Sequence, residues 1–316
     1  MNFQQLRILR ETVRQDFNLT TVANTLFTSQ PGVSKHIKDL EDELGVEIFV
    51  RRGKRLLGLT EPGREVLKVV EHILLDAQNV RSIAEQFASR ETGNLVIATT
   101  HTQARYALPE VIKQFRAEYP KVHLVLHQGS PKEIAELLTV GSADIAIATE
   151  WLGKVPEIAT FSYYTWHHAV IVPRGHPLTR LESITLADLA EYPIITYHEG
   201  FSGSSNMDRQ FSEAGLIPDI VLSAIDADVI KTYVDIGLGI GIIAEMAYHP
   251  EHDDNLVRLD VPNLFVPNTA RLAIRRGVYL RSYAYALIEK LVPGLTEQKI
   301  SEFLHNESIA DQDFSI

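Results

Sequence analysis

The stretch ATTHTQARY, Ala98 to Tyr106, places Thr99, Thr100, Thr102 and Gln103 within five consecutive positions. It follows NLVIA, an apolar run suited to a buried strand, and leads into LPEVIKQF, whose spacing predicts a helix. One hydroxyl is enough to cap a helix. Several hydroxyls beside the free N–H groups of a helix N-terminus favour an anion, through hydrogen bonds and the positive end of the helix dipole. Thr100 and Thr102 can donate to carboxylate or sulfate-like oxygens, and Gln103 can donate through its amide. The stretch holds no acid, base or nucleophile pair, so its chemistry is recognition. A purely structural alternative also stands, in which Thr99 and Thr102 only cap the helix.

The elements that must position these groups alternate in type. Strands at 95–100, 122–129 and 143–150 are separated by helical patterns, which is βαβαβ. Parallel sheets of this kind place ligands beyond the carboxyl ends of their strands. The three strands end in Thr99-Thr100, in Gln128-Gly129-Ser130 and in Thr149-Glu150. A second α/β group starts near Trp166 and ends around Asp260. TARLAIRRG and RSYAYALIEKLVPG then read as a strand and helix able to return to the first group.

Other candidates are weaker. His167 and His168 alternate across a strand and cannot share one metal. His123 and His127 share a face without a carboxylate. His249 and His252 lie in a polar loop, not on the helix that a metalloprotease motif needs. GLGIGII (Gly237–Ile243) ends a helix and enters a strand, the reverse of the dinucleotide-binding order. Gly237 or Gly239 there suits helix termination and close packing.

The N-terminal region reads differently. Residues 2–15 repeat Phe3, Leu6, Leu9 and Val13 on one helical stripe, and LTTVANTLF sets Val22, Ala23 and Leu26 inward. After a break, Ser29 caps a helix with Pro31 in its first turn; Val33, Ile37, Leu40 and Leu44 form the buried stripe and Gly45 ends it. This is a helix-turn-helix that leaves Gln30, Ser34, Lys35 and Lys38 exposed for base and phosphate contacts in a major groove. Arg51, Arg52, Lys54 and Arg55 flank Gly53 between two short apolar strands, a β-wing for phosphate contacts. From Pro62 to Ser89 a helix of about 25 residues would span about 38 Å. Its stripe of Val66, Val69/Val70, Ile73, Ala77, Val80, Ala84 and Phe87 fits pairing with a second copy, or packing of a single helix on its own domain.

Composition bounds the rest. The 316 residues exceed what one core usually organises. No cysteine is present, which excludes disulfides and thiol-ligated metal. Neither a secretion signal nor a membrane span is legible, so a cytoplasmic location with no membrane partner is expected. Residues 1–64 carry ten Lys/Arg against eight Asp/Glu, a net of +2, which leaves −13 for the remainder of a chain whose total is −11. A basic head on an acidic body fits a nucleic-acid module joined to a part that does not bind nucleic acid.

LTTVANTLFTSQPGVSKHIKDLEDELGVEIFVRRGKRLLGLTEPG resembles the DNA-binding head of LysR-type transcriptional regulators along its whole length. Within that family, ATTHTQARYALPEVIKQF, HQGSP, ADIAIATE, DADVIKTYV and GLGIGIIAEMA resemble the CysB/Cbl subfamily of sulfur-assimilation regulators; which of its two types stays open. The resemblance implies an α/β protein with an N-terminal winged helix-turn-helix (1–61), a linker and dimerisation helix (62–92) and a two-lobed, periplasmic-binding-protein-like effector domain (93–316). Lobe I would hold about 93–164 and 268–295, and lobe II about 165–267. It further implies promoter DNA as partner, a dimer through the linker within a homotetramer, and RNA polymerase as a further contact. No cofactor is implied. The implied effector is sulfate, thiosulfate, O-acetylserine, N-acetylserine or adenosine 5′-phosphosulfate. Residues matching Thr100, Thr102, Gln103, Ser130, Thr149, Trp166 and Ser202 line the cleft in that family. One departure falls at 201–205, where a frequent Phe-Thr-Gly-Arg-Ser pattern is replaced by Phe201-Ser202-Gly203-Ser204-Ser205. A regulator of another pathway, with a different carboxylate or amino-acid effector, is the alternative. An enzyme with a regulatory head is the alternative of a different class.

Overall fold

A computed structural model describes residues 1–53, 55–88, 91–201, 204–261 and 264–305. Lys54 and Ser202, both expected at binding surfaces, lie outside the described residues. The chain divides into two compact units, Met1–Phe87 with Gly277–Tyr279, and Ala88–Arg276 with the residues from Leu280 onward.

The first unit holds α1 (Phe3–Arg14), α2 (Leu19–Thr25), α3 (Gln30–Leu44), the antiparallel pair β1 (Phe49–Arg52) and β2 (Arg55–Leu59), and α4 (Glu61–Ala88). Asn2 and Gln5 form a reciprocal capping box that starts α1. The buried face of α1 is Gln5, Leu6, Ile8, Leu9 and Thr12, while Phe3 of the expected stripe is exposed. The stripe is rotated toward Ile8, since α3 approaches that side with Val33, Ile37 and Leu40. Ser29 caps α3 by accepting from the Gly32 N–H (3.2 Å), and Gly45, at φ +69°, ends it in the left-handed conformation that glycine adopts without a Cβ clash. Leu44, also expected inside, is exposed in the final turn, beyond the core.

The helix α4 runs for 28 residues. Its first half is fastened to the head core by Val70 and Leu74, with Val66 and Ile73 packed beside them. Further along, Val80 is 66% exposed and Phe87 75% exposed. That half of the expected stripe is therefore apolar and uncovered within one chain.

The second unit contains two five-stranded sheets. The elements of the first in chain order are β3 (Gly93–Thr99), α5 (Pro109–Glu118), β4 (Val122–Gln128), α6 (Pro131–Thr139), β5 (Ile145–Ala148) and β6 (Ile158–Trp166). The second is built from β7 (His168–Pro173), α7 (Leu186–Ala190), β8 (Ile194–Tyr197), α8 (Ser204–Glu213), β9 (Ile220–Ala224), α9 (Ala227–Asp235), β10 (Ile240–Ala244) and β11 (Leu256–Arg258). The chain then returns as β12 (Asn268–Arg275), between β5 and β6 of the first sheet, followed by α10 (Ser282–Leu291) and α11 (Glu297–His305). The strand orders are β4-β3-β5-β12-β6 and β11-β7-β10-β8-β9. β3 is parallel to both β4 and β5, so three carboxyl ends meet at one edge. Gly237 stands at φ +82° after α9, and Gly239 lies so close to the Pro193 carbonyl that a Cβ would come within 2.3 Å of the oxygen. Both glycines act as helix terminator and close-packing residue, as expected for GLGIGII.

Gly63 packs directly against the wing. A Cβ there would lie 2.1 Å from the Ile48 carbonyl oxygen, which accepts from the Thr60 N–H and cannot swing aside. Alanine in a helix is ordinarily worth about 1 kcal/mol over glycine, but overpacking costs about 1–3 kcal/mol. Gly63→Ala should therefore destabilise the protein by about 2 kcal/mol, measured as a lower urea midpoint at unchanged slope. An unaltered midpoint would show that the helix and wing separate freely.

Candidate functional site

The residues of ATTHTQARY form the end of β3 and a short helical segment whose turn Gln103–Ala107 is π-helical. Such wide turns are rare and recur at functional sites. Here the turn breaks the regular progression into α5 and brings consecutive polar residues onto contacts with both sheets. Thr100, Thr102 and Gln103 are all buried. Tyr164, on β6, donates from its hydroxyl to Gln103 Oε1 at 2.6 Å, which leaves the two amide protons of Gln103 as its donors. Burial pushes the Tyr164 phenol up, with its bond to Gln103 acting in the opposite direction. Thr102 hydrogen-bonds the hydroxyl of Tyr197, at the end of β8 in the second sheet. The same hydroxyl accepts from the Ala244 N–H at 3.1 Å. Tyr197 is buried, and that burial pushes its phenol up to about 12, so it remains a neutral bridge between the lobes.

Trp166 ends β6 beside Ala244, Ala270 and Met246, and the Met246 Sδ lies 3.4 Å from the Tyr164 hydroxyl oxygen. Tyr164 and Ala244 therefore tie Trp166 to the neighbourhood of Gln103 and Thr102. Trp166 is 2% exposed, and its indole Nε1–H has no hydrogen-bond partner among the described residues. An indole can only donate, and a buried unpaired donor costs about 1–3 kcal/mol. His101, within the same stretch, likewise has a buried Nδ1 without a partner among those residues.

The remaining expected residues divide. Thr149 is half-buried at the end of β5, and its side chain makes no capping bond. Ser130 reaches the same edge, but its hydroxyl donates to Glu133 Oε2 at 2.8 Å and its Oγ accepts from the Glu133 N–H. It is first of all the cap of α6. Thr99 is corrected more strongly: its hydroxyl donates to the Ile147 carbonyl at 3.0 Å, inside the sheet between β3 and β5. Ser204, at the position of the departure, is buried and accepts from the Gly200 N–H at 3.0 Å, so it closes a loop.

Sequence reading missed the fastening at the other side of the π-helical turn. Tyr106 packs against the core of the second lobe and donates to Asp228 Oδ1 at 2.8 Å, while Arg105 Nε lies 2.7 Å from Asp228 Oδ2. Lys231 joins Asp228 to Asp253, at 3.4 and 3.1 Å. Burial acts to raise the Asp228 carboxyl, but the Tyr106 hydroxyl, Lys231 and Arg105 outweigh it and hold the group below the usual carboxylate range. Only the i,i+3 spacing of Asp228 and Lys231 was a local signal; partners more than a hundred residues apart leave none.

On the head, Gln30, Pro31, Lys35 and Lys38 are exposed along α3, with Ser34 half-buried, and Gln30 donates to Ser34 Oγ at 3.2 Å. Arg52 and Arg55 are exposed on the wing, whose turn is made by Gly53 at φ +62°. Arg51 differs. Its guanidinium is held by Glu41 at 2.6 Å, and the other oxygen of that carboxylate accepts from the Ile48 and Phe49 N–H groups. Arg51 therefore braces the wing before it can offer a phosphate contact. Among the described residues no group of His, Cys, Asp and Glu could hold a metal ion, and no helix is long and apolar enough to cross a membrane.

Residues 3–64 match the bacterial regulatory helix-turn-helix protein family of lysR type, and residues 88–295 match the LysR substrate binding domain. The HTH-type transcriptional regulator SsuR of Burkholderia cenocepacia is 60% identical over 304 residues, covering 96% of this chain and 99% of that protein. The regulator cbl of Escherichia coli K12 is 53% identical over 316 residues, covering all of both chains. The crystal structure of the cofactor-binding domain of the Cbl transcriptional regulator superposes with a TM-score of 0.66 at 48% identity, covering 68% of this chain and 94% of that one. The head with its exposed α3, the two-sheet body and these full-length similarities agree: the chain belongs to the LysR family and is a DNA-binding transcriptional regulator, not an enzyme.

Proposed function

We propose that this regulator controls genes of sulfur assimilation or sulfonate use, as a CysB/Cbl-like protein in the cytoplasm, and responds to a small anion held between its two lobes. The observation that carries the anion reading is the Trp166 Nε1–H, a buried donor that needs an acceptor. Thr100, Thr102, the Gln103 amide and Thr149 stand around the same edge as further neutral donors, whereas the hydroxyl protons of Thr99 and Ser130 are taken by the Ile147 carbonyl and the Glu133 carboxylate. Sulfate, thiosulfate, O-acetylserine, N-acetylserine and adenosine 5′-phosphosulfate all present oxygens that fit such donors. The similarity to SsuR and Cbl supports the sulfur reading. The winged head (1–61) with its linker helix (62–92) acts as one module and the effector body (93–316) as another, and the uncovered Val80 and Phe87 side of α4 suits pairing in a dimer within a tetramer. Ligand moves the assembly only by binding one arrangement more tightly than the other.

Calorimetric titration of the full chain with those five compounds tests the effector. Trp166→Phe should weaken binding of whichever compound binds by about ten- to a hundredfold, the worth of a hydrogen bond to a charged group. Equal affinity in the variant would remove Trp166 from the site, and absence of binding by all five would favour another pathway's carboxylate or amino acid.

Two heads would place α3 in successive major grooves, Gln30 reading a base edge and Lys35, Lys38, Arg52 and Arg55 holding phosphates. Arg52→Ala should reduce the salt dependence of DNA affinity by about one unit in the log–log slope, the signature of one lost phosphate contact. Gln30→Ala should instead relax sequence preference by about 1–3 kcal/mol. Effector titrations should be unchanged in both. Joint loss of DNA and effector binding would contradict the modular division.

A further inference from the structure

We infer that Asp228 is a positioning residue of the effector site: acting through Tyr106, it holds the π-helical turn in the shape that aims the Thr102 hydroxyl and the Gln103 amide. The inference rests on the anion reading of that site. The turn is closed by the Leu108 N–H on the Gln103 carbonyl, five residues back, at 3.0 Å. It thus holds one residue more than an α-helical turn would. Reversion to α-helix would rotate the residues before the turn by about 100° around the axis relative to α5. Thr102 and Gln103 would be carried with them. What keeps the wide turn therefore keeps the donors aimed.

Both ends of the turn are fastened to one short stretch of the second lobe. The turn packs against Glu245–Ala247, the 3-10 turn that follows β10. At its start, Thr102 bonds the Tyr197 hydroxyl, which accepts from the Ala244 N–H. At its end, Tyr106 donates to Asp228 at 2.8 Å. Lys231 lies 3.4 Å from the same carboxylate and donates to the Ala247 carbonyl at 3.0 Å. Between the two, the Met246 Sδ lies beside the Tyr164 hydroxyl that orients Gln103. The contacts close a ring around the turn, and Asp228 is the member that joins Tyr106 to Lys231.

The partners of Asp228 are not equivalent. Arg105 is mostly exposed, so its ion pair is screened by water and contributes little. Tyr106 is half-buried, and Lys231 is shielded. The Tyr106 ring is also held independently of its hydroxyl. It packs on the core of the second lobe, with the Lys231 Nζ and the His249 ring each 5.9 Å from its centre. Tyr106→Phe therefore removes the bond to Asp228 and leaves the ring packed. Asp228→Asn removes the charge and leaves an oxygen to accept from Tyr106.

Sulfate, thiosulfate, O-acetylserine, N-acetylserine and adenosine 5′-phosphosulfate are each titrated calorimetrically into the full-length wild type and its variants. Asp228→Ala and Tyr106→Phe should each weaken whichever compound the wild type binds by about tenfold, the effect of one lost hydrogen bond. The double variant should be no weaker than either single one, because the same bond is missing in all three. Asp228→Asn should restore affinity close to that of the wild type, and Arg105→Ala should match it. An Asp228 that only stabilises the fold would lower the thermal midpoint of Asp228→Ala and leave its affinity unchanged, which would overturn the inference. Additive losses in the double variant would overturn it as well. Should Asp228→Ala fail to fold, Tyr106→Phe decides, and wild-type affinity in that variant removes the role of Asp228. A wild type that binds none of the five compounds would instead sink the anion reading, and the inference with it.

Discussion

The body depends on how one helical turn is held. Between Thr100 and Ala107 the chain is fastened to its own sheet by the Tyr164 bond to Gln103, and to the other lobe by the Thr102 bond to Tyr197 and the Tyr106 bond to Asp228. All three involve a phenol, and in each case burial pushes that phenol up, away from ionisation. A neutral hydroxyl can donate to one partner and accept from another. It can thus bridge the two sheets without burying a charge between them.

The charged part of the fastening sits at the rim. Arg105 and Asp228 are partly exposed, so their direct attraction is worth little by itself. The arrangement matters more than the pair. Asp228 collects Tyr106, Arg105 and Lys231, and Lys231 is shielded and reaches on to Asp253 and the Ala247 carbonyl. Because the Asp228 carboxyl is held below its ordinary range, the fastening contributes fully above the unfolded carboxylate value. It is lost as pH falls through the folded one. Around neutrality it is intact.

The legible part of the molecule was the part encoded locally. Ser29, Pro31 and Gly45 mark the ends of α3 because caps and left-handed stops act within a few residues. The alternation after residue 93 reads as β3, β4 and β5 because strand and helix periods differ. Thr99, Thr100, Thr102 and Gln103 stood out because four polar side chains in five positions exceed what a cap needs, and all four are buried. Failures share a cause as well. Thr99 and Ser130 look like their neighbours in sequence, yet the Ile147 carbonyl and the Glu133 carboxylate take their hydroxyl protons. Arg51 looks like Arg52, but Glu41, ten residues back, claims it. Tyr164, Tyr197 and Asp228 were invisible because their partners come from distant elements. Phe3 was misplaced by one helical step, since α3 decides which side of α1 is covered.

The charge distribution completes the division between reading DNA and sensing a ligand. A body at −13 is repelled by phosphates, so non-specific attraction is confined to a head whose own surplus is only +2. Such a head cannot depend on bulk charge for affinity. Its cations must be placed, and the wing does this by using one of its arginines as a brace: Arg51 and two backbone N–H groups share Glu41, which holds the strand from which Arg52 projects. With so small a surplus, the placement of Arg52 and Arg55 on the wing counts for more than the total charge of the head.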